Sequence, residues 1–506
     1  MNPSQRIIVN TAMQYAKAVI TTCIALYSTR LILDALNISD YGIYTVIAGV
    51  VAMLGFITNA LTITTQRHIS VNTPTGETHF LRKLFVNSLF IHIVSGMAIA
   101  IVLLAVEGQL FEHILVIPST RTEVAKGVYA ITVFMLFLTV LTAPFKALLI
   151  AHENILYITV IDIVDSISKL IIAIGLSYVT LDRLIVYAWL SGGIVLGNFI
   201  VIAMYALVKY PECSITFHSG DLDRKLICQI SGFAGWITYG MGSIAARTQG
   251  TAVVLNHFFG TAINAAYGIA FQISAAISFL VTAILNAMNP QLMQAEGEGN
   301  RQRMLDMASR QSKYTTAIVA LIIIPLTAEM PAVLNVWLKD VPDGTSMFCR
   351  FILISFLCDQ VTVGLGSANQ AIGLVRTFTI LTYTPKLLYL AAIWCFFYYG
   401  MTVLSAMWLY IAVEMAVALA RIPYMQHKAG LDSRQYIRRI LMPLIIMACI
   451  ETAACWACVA TFEWKYRFLI TGVISVVVGG LCCWGIVLDD DERTHAVTMY
   501  RKFINR

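Results

Sequence analysis

Asp162, Asp165 and Lys169 fall at i, i+3 and i+7 in the otherwise apolar stretch ILYITVIDIVDSISKLIIAIG, so on a helix they share one face. An ionisable group among apolar neighbours is costly unless it meets a partner, a ligand or a water-filled cavity. Other cations stand in similar surroundings. Lys17 shares a face with Gln14, Thr21 and Ser28, and Arg247 follows Trp236, Tyr239 and Ser243 at helical spacing. Lys386 lies one turn from Tyr383, beside Pro385. The remaining deep acids are Asp359 and Glu414. Cations at such depth hold an anion, and acids at such depth titrate or bind an ion. The bland alternative is that the two signs cancel as internal ion pairs, with Glu414 on Lys386 or Arg247. Arg30 sits roughly 220° around the helix from Lys17 at about 100° per residue, with Asp34 one turn on, and snorkelling to headgroups is its competing reading. No glycine-rich phosphate loop, nucleophile triad or metal-ligand spacing occurs, so no catalytic residue and no metal is assigned. Adjacent Cys482 and Cys483 also lack zinc spacing.

The elements that must hold these groups are membrane helices. Of the 506 residues, 58% are hydrophobic and 12% charged, with mean hydropathy +0.77, too few charges for a water-facing surface of this size. Apolar runs long enough to cross a bilayer recur throughout. The reading is Ile7–Leu33, Tyr41–Gln66, Leu84–Val106, Val124–Ile150, Ile155–Thr180, Leu184–Val208 and Leu226–Leu255 in the first part. It continues with Ala262–Met288, Tyr314–Leu338, Met347–Ile372, Phe378–Tyr399, Val403–Tyr424, Ile440–Thr461 and Phe468–Leu488. The chain is thus expected to be an all-α polytopic membrane protein of about fourteen transmembrane helices. The first span is read as retained, because no cleavage pattern follows it.

The net charge of +6 is dispersed over short loops, which points to topology and not to nucleic acid. One set of loops holds Arg67/Arg82/Lys83, Lys209/Arg224/Lys225, Arg301/Arg303/Arg310/Lys313 and Lys428/Arg434/Arg438/Arg439. Arg6, Arg376 and the tail residues Arg493, Arg501, Lys502 and Arg506 fall on that side too. The other side holds only Arg121/Lys126, Arg183, Lys339/Arg350 and Lys465/Arg467. Both termini are therefore expected in the cytoplasm. The polar segment AEGEGNRQRMLDMASRQSK reads as a partly helical linker, and the acidic run Asp489-Asp490-Asp491-Glu492 ends a helix.

A weak internal repeat links the two halves. Tyr41-Gly42-Ile43 is answered by Tyr267-Gly268-Ile269, each followed by a long apolar helix. Together with Thr29-Arg30-Leu31-Ile32-Leu33, Asp40, Gln66-Arg67-His68-Ile69-Ser70, Val254-Leu255-Asn256-His257-Phe258-Phe259-Gly260 and Asn289-Pro290, the chain resembles the bacterial polysaccharide flippases of the multidrug/oligosaccharidyl-lipid/polysaccharide (MOP) exporter superfamily. The resemblance is clearest over the first 90 residues and over 230–295, and fades beyond 400.

The resemblance implies two pseudo-symmetric six-helix lobes around a central cavity plus two C-terminal helices. That places lobe boundaries at 1–210 and 211–425, an added helix pair at 426–488 and a cytoplasmic tail at 489–506. It implies that an undecaprenyl-diphosphate-linked oligosaccharide is moved to the outer leaflet of the bacterial cytoplasmic membrane by alternating access. The partners would be that cargo, membrane lipids and other glycan-assembly proteins; no nucleic acid is implied. Arg247, Lys169, Lys386, Lys17 and Arg30 would then face the diphosphate. Asp162, Asp165 and Glu414 would carry any coupled H+ or Na+, and no cofactor is required. Two alternatives compete. A multidrug cation exporter of the same fold would need an acidic cavity with few cations. A membrane glycan polymerase or ligase would need a larger catalytic outer loop than Glu107–Glu123 offers.

Overall fold

The computed structural model describes residues 3–494 and 498, apart from 53, 76, 115–116, 216–220, 339–340 and 465. Lys339, Lys465, Arg501, Lys502 and Arg506, which entered the topology reading, lie outside the described residues. Nearly every described residue is helical, and none is in a strand.

The helices in chain order are α1 (Pro3–Ala52), α2 (Gly55–Asn72), α3 (Thr78–Gln109), α4 (Thr122–Ala151), α5 (Ile155–Gly175), α6 (Arg183–Lys209) and α7 (Arg224–Gly297). Then follow α8 (Arg301–Ala328), α9 (Met330–Trp337), α10 (Thr345–Gln360), α11 (Val363–Ile372), α12 (Val375–Tyr398), α13 (Val403–Ala429), α14 (Ser433–Tyr436), α15 (Met442–Thr461) and α16 (Arg467–Cys482). Two of these are broken spans. α1 breaks at Asn37 (φ 66°, ψ 162°) and α7 at Gly260 (φ 80°, ψ −173°). Both angles lie where a Cβ is strained, and glycine meets that at no steric cost. The two Tyr-Gly-Ile motifs follow these breaks, so the repeat seen in the sequence marks the same event twice: one span ends, the chain bends, the next begins. Ten described helices are each long and apolar enough to cross a membrane, or up to eleven with the bent pair α10/α11 counted as one span. α5 misses that count because of its own charges. With the broken helices divided at Asn37 and Gly260, about fourteen spans result, as expected from the apolar runs.

The chain forms two compact units: Met1–Gly242 with Asn289–Gly299, and Ser243–Met288 with Asn300–Arg506. In the first, α4 is the hub. Its two faces bury Val128, Tyr129, Val140 and Leu148, and α2, α3 and α6 pack around it. Small residues allow that approach. A Cβ at Gly96 of α3 would lie 3.1 Å from Phe137, and one at Gly127 of α4 would lie 3.1 Å from Ile185 of α6. In the second unit the core gathers Leu255, Tyr267, Val319, Phe348, Tyr389 and Met407 from α7, α8, α10, α12 and α13. α15 and α16 pack on α8. The polar linker proves to be the end of α7, a turn and the start of α8. That start is amphipathic and buries Met304, Leu305, Ala308 and Lys313.

Candidate functional site

In α5 the lipid-facing stripe is Leu156, Val160, Val164, Ile167, Ile171 and Ile174, all exposed at helical spacing. The period therefore turns Asp162, Asp165 and Lys169 inward, toward the rest of the first unit. Lys17 of α1 donates to Asp162 at 2.5 Å, and Lys146 of α4 lies 3.6 Å from the other oxygen of the same carboxylate. Lys169 pairs with Asp165 at 2.7 Å, and Asn198 of α6 donates to Asp165 at 2.7 Å. Three lysines thus surround two aspartates on α1, α4 and α5, leaving one positive charge in excess. The cluster is accessible: side-chain exposures run from 19% for Lys17 through 37% for Lys146 to 45% for Lys169. Arg30 stands apart. It is exposed, with exposed Asp34 one turn on, and no ion pair among the described residues includes it.

The second unit holds a more deeply buried counterpart, in which Asp359 alone keeps a side-chain exposure of 25%. α12 buries Thr382, Lys386, Tyr389 and Ile393 on one stripe, and α13 buries Tyr410, Glu414, Val417 and Arg421 on another. Arg247 of α7 donates to Glu414, whose second oxygen lies 2.8 Å from Lys386 Nζ. Lys386 is also 3.5 Å from Asp359, which accepts from Arg421 at 2.9 Å. Asp359 sits at the end of α10, where α10 and α11 meet at 45°. The result is a ladder of alternating charge, Arg247–Glu414–Lys386–Asp359–Arg421, again with three cations and two acids. Arg247 also stacks over Tyr410 at 4.4 Å. Here Arg247, Glu414 and Lys386 side chains are only 7, 4 and 4% exposed. Glu414, read from sequence as a partner for Lys386 or Arg247 or as a titrating group, pairs with both cations.

Two members went unnoticed in the sequence. Lys146 lies four residues from the end of its apolar run, where a cation passes for a flanking charge. Arg421 lies seven residues after Glu414, hence on the same helical face, and that spacing was the signal available. Trp236 and Tyr239, read as part of one stripe with Arg247, meet edge to face at 6.0 Å within the first unit.

Further groups in these units tie helices together. At the break of α1, Arg121 forks onto both oxygens of Asp40 (2.9 and 2.5 Å) and reaches Asp182, the N-cap of α6, at 2.5 Å. That bond from Arg121 holds the Asp182 carboxyl below the ordinary carboxylate range. In the second unit Arg467 of α16 donates to Glu329, between α8 and α9, at 2.6 Å. Buried Lys313 of α8 holds Glu492 at 2.7 Å and Asp489 at 3.2 Å, which gives the acidic run of the tail its partner.

No family model matches the sequence, and no curated protein matches it. Solved structures do match. The chain is similar to a MOP-superfamily transporter from Pyrococcus furiosus, at 14% identity and TM-score 0.72, over 85% of this chain and 96% of that one. It is similar to a MATE transporter in its bent conformation, at 14% identity and TM-score 0.75, over 86% and 97%. It is similar to an outward-facing multidrug resistance MATE transporter, at 15% identity and TM-score 0.73, over 85% and 96%. The chain is a multi-pass membrane protein, helical throughout its described residues, with the fold of these MOP-superfamily transporters.

Proposed function

We propose that this chain carries a phosphate-bearing, lipid-linked oligosaccharide from the inner to the outer leaflet of the cytoplasmic membrane by alternating access, with both termini in the cytoplasm. The observation that carries the reading is the charge balance of the two clusters on the apolar helices. Each unit places three basic side chains against two acidic ones, so each is left one positive charge in excess. A site for organic cations would be biased the other way. Of the two clusters, the lysines of the first unit are the reachable ones. Lys17 and Lys146 converge on one carboxylate, and a phosphate offers the same pair of oxygens with more charge. Asp162 and Asp165 are the acids through which an H+ or Na+ gradient acts. Buried Glu414 and Arg247 hold α7, α12 and α13 together. The similar Pyrococcus furiosus transporter is itself described by a binding pocket of reversed polarity, from which a different function was inferred.

The second reading is export of organic cations, favoured by the multidrug transporter among the similar folds. One experiment separates the two. Lys146→Gln removes a single positive charge while Asp162 keeps Lys17. In vesicles holding the whole protein, translocation of a polyprenyl-diphosphate oligosaccharide should fall at least tenfold, with the protein still inserted and folded. Export of an organic cation by the wild type, unaffected or raised in Lys146→Gln and without any glycolipid translocation, would overturn the proposal in favour of the second reading.

A further inference from the structure

In the second unit, α13, α14 and the turn that leads into α15 carry Lys428, Arg434, Arg438 and Arg439 within twelve residues, all exposed. Among the described residues, none of the ion pairs includes any of the four. The positive-inside tendency accounts for cations here, yet it says nothing of where they point.

Their direction is set by the helix that follows. α15 exposes Met442, Ile445, Ile446 and Ile450 at helical spacing and buries Leu444, Met447 and Glu451 on the opposite face. The exposed stripe is the lipid-facing one. Continued backward one turn it meets Arg438, and one further turn Arg434. The turn between α14 and α15, Ile437–Leu441, is a π-helix. Its wider i→i+5 turn takes in one extra residue, so the neighbours Arg438 and Arg439 both remain exposed while Ile440 is buried. The basic side chains thus cap an apolar stripe at headgroup depth, instead of projecting from a loop into bulk water.

Arg439 also lines a cavity of about 210 Å³ between α8, α14 and the start of the tail, together with Arg310, Lys313, Gln302 and Gln435. Of the acids on its wall, Asp489 meets a cation, while Asp306 and Asp432 accept from neutral donors. Asp489 holds Lys313, Asp306 accepts from Gln302 at 3.1 Å, and Asp432 caps α14 through the Gln435 N–H at 3.0 Å. Among the described residues Arg439 forms an ion pair with none of these acids. We propose that this junction binds the phosphodiester headgroup of an anionic membrane lipid, with Arg439 at the headgroup, Arg434 and Arg438 flanking it, and the acyl chains lying along the Met442–Ile450 stripe. The inference is independent of the cargo reading.

The test uses the full chain in lipid nanodiscs of phosphatidylcholine with a minor share of phosphatidylglycerol, and counts the lipid retained after purification. Wild type should enrich phosphatidylglycerol. Each basic residue near a membrane surface contributes about fivefold, so Arg438→Gln with Arg439→Gln should lower the enrichment about thirtyfold. Arg439→Lys should restore part of it, and enrichment by wild type should fall as salt is raised. The salt series on wild type stands alone if the double variant does not fold. Equal enrichment in wild type and double variant, or none in wild type at low salt, would leave these arginines as topology signals and overturn the proposal. Release of the lipid by inorganic phosphate at matched ionic strength would also overturn it, in favour of a soluble phosphate site.

Discussion

Glu414→Ala removes the rung shared by two buried cations, and its cost follows from the geometry. In the intact protein the glutamate is the counter-charge shared by Arg247 and Lys386, with exposures of 7, 4 and 4% for Arg247, Glu414 and Lys386. Lys386 keeps Asp359 at 3.5 Å, but that carboxylate is already shared with Arg421. Arg247 keeps the Tyr410 face at 4.4 Å, which is present before and after the change and does not offset the loss. One further buried cation is therefore left uncompensated, at about 3–5 kcal/mol. That is about two to three and a half decades in the unfolding equilibrium. The assay is denaturant unfolding of the purified protein in mixed micelles, followed by tryptophan fluorescence. The decisive arm is the triple variant Arg247→Met, Lys386→Met and Glu414→Met, which leaves Asp359 with Arg421. It removes all three charges at similar volume and should recover to within about 2 kcal/mol of wild type, because a buried ion pair replaced by apolar side chains is often close to neutral. If Glu414→Ala costs under about 1 kcal/mol, the ladder is solvated and its charges are not stranded by loss of a partner. If the triple variant is no better than the single, the penalty is one of shape and not of charge, and the reasoning fails.

Asn37→Gly should stabilise the first unit by about 1 kcal/mol, and Gly260→Ala should destabilise the second by about 1–3 kcal/mol, since both positions hold a backbone conformation that glycine alone takes freely; the same unfolding assay reads both. Asp182 is held below its ordinary range by Arg121. The stability it lends is thus present above about pH 4 and lost as pH falls through the folded value. Arg121→Gln should lower the melting temperature at neutral pH and flatten the acid limb of the melting profile. An acid limb unchanged by the substitution would place its origin elsewhere.

The sequence by itself determined the class and much of the layout. Run length and charge scarcity dictate membrane spans, because a helix rises a set distance per residue and the bilayer has a set thickness. The same period showed that Asp162, Asp165 and Lys169 share a face, and the duplicated Tyr-Gly-Ile marked the two broken spans. What a period cannot supply is the rotation and depth of one helix against another. Only the tertiary structure decided that Arg247 meets Glu414, 167 residues away, and that Lys17 meets Asp162, 145 residues away. It decided as well that Lys146 and Arg421 belong to the clusters, and that Lys313, which reads as a solvated linker lysine, is buried on the tail. Burial along one helix is a local property, set by neighbours in the chain. The choice of counter-charge is a property of packing, set by side chains that meet only once the helices are assembled.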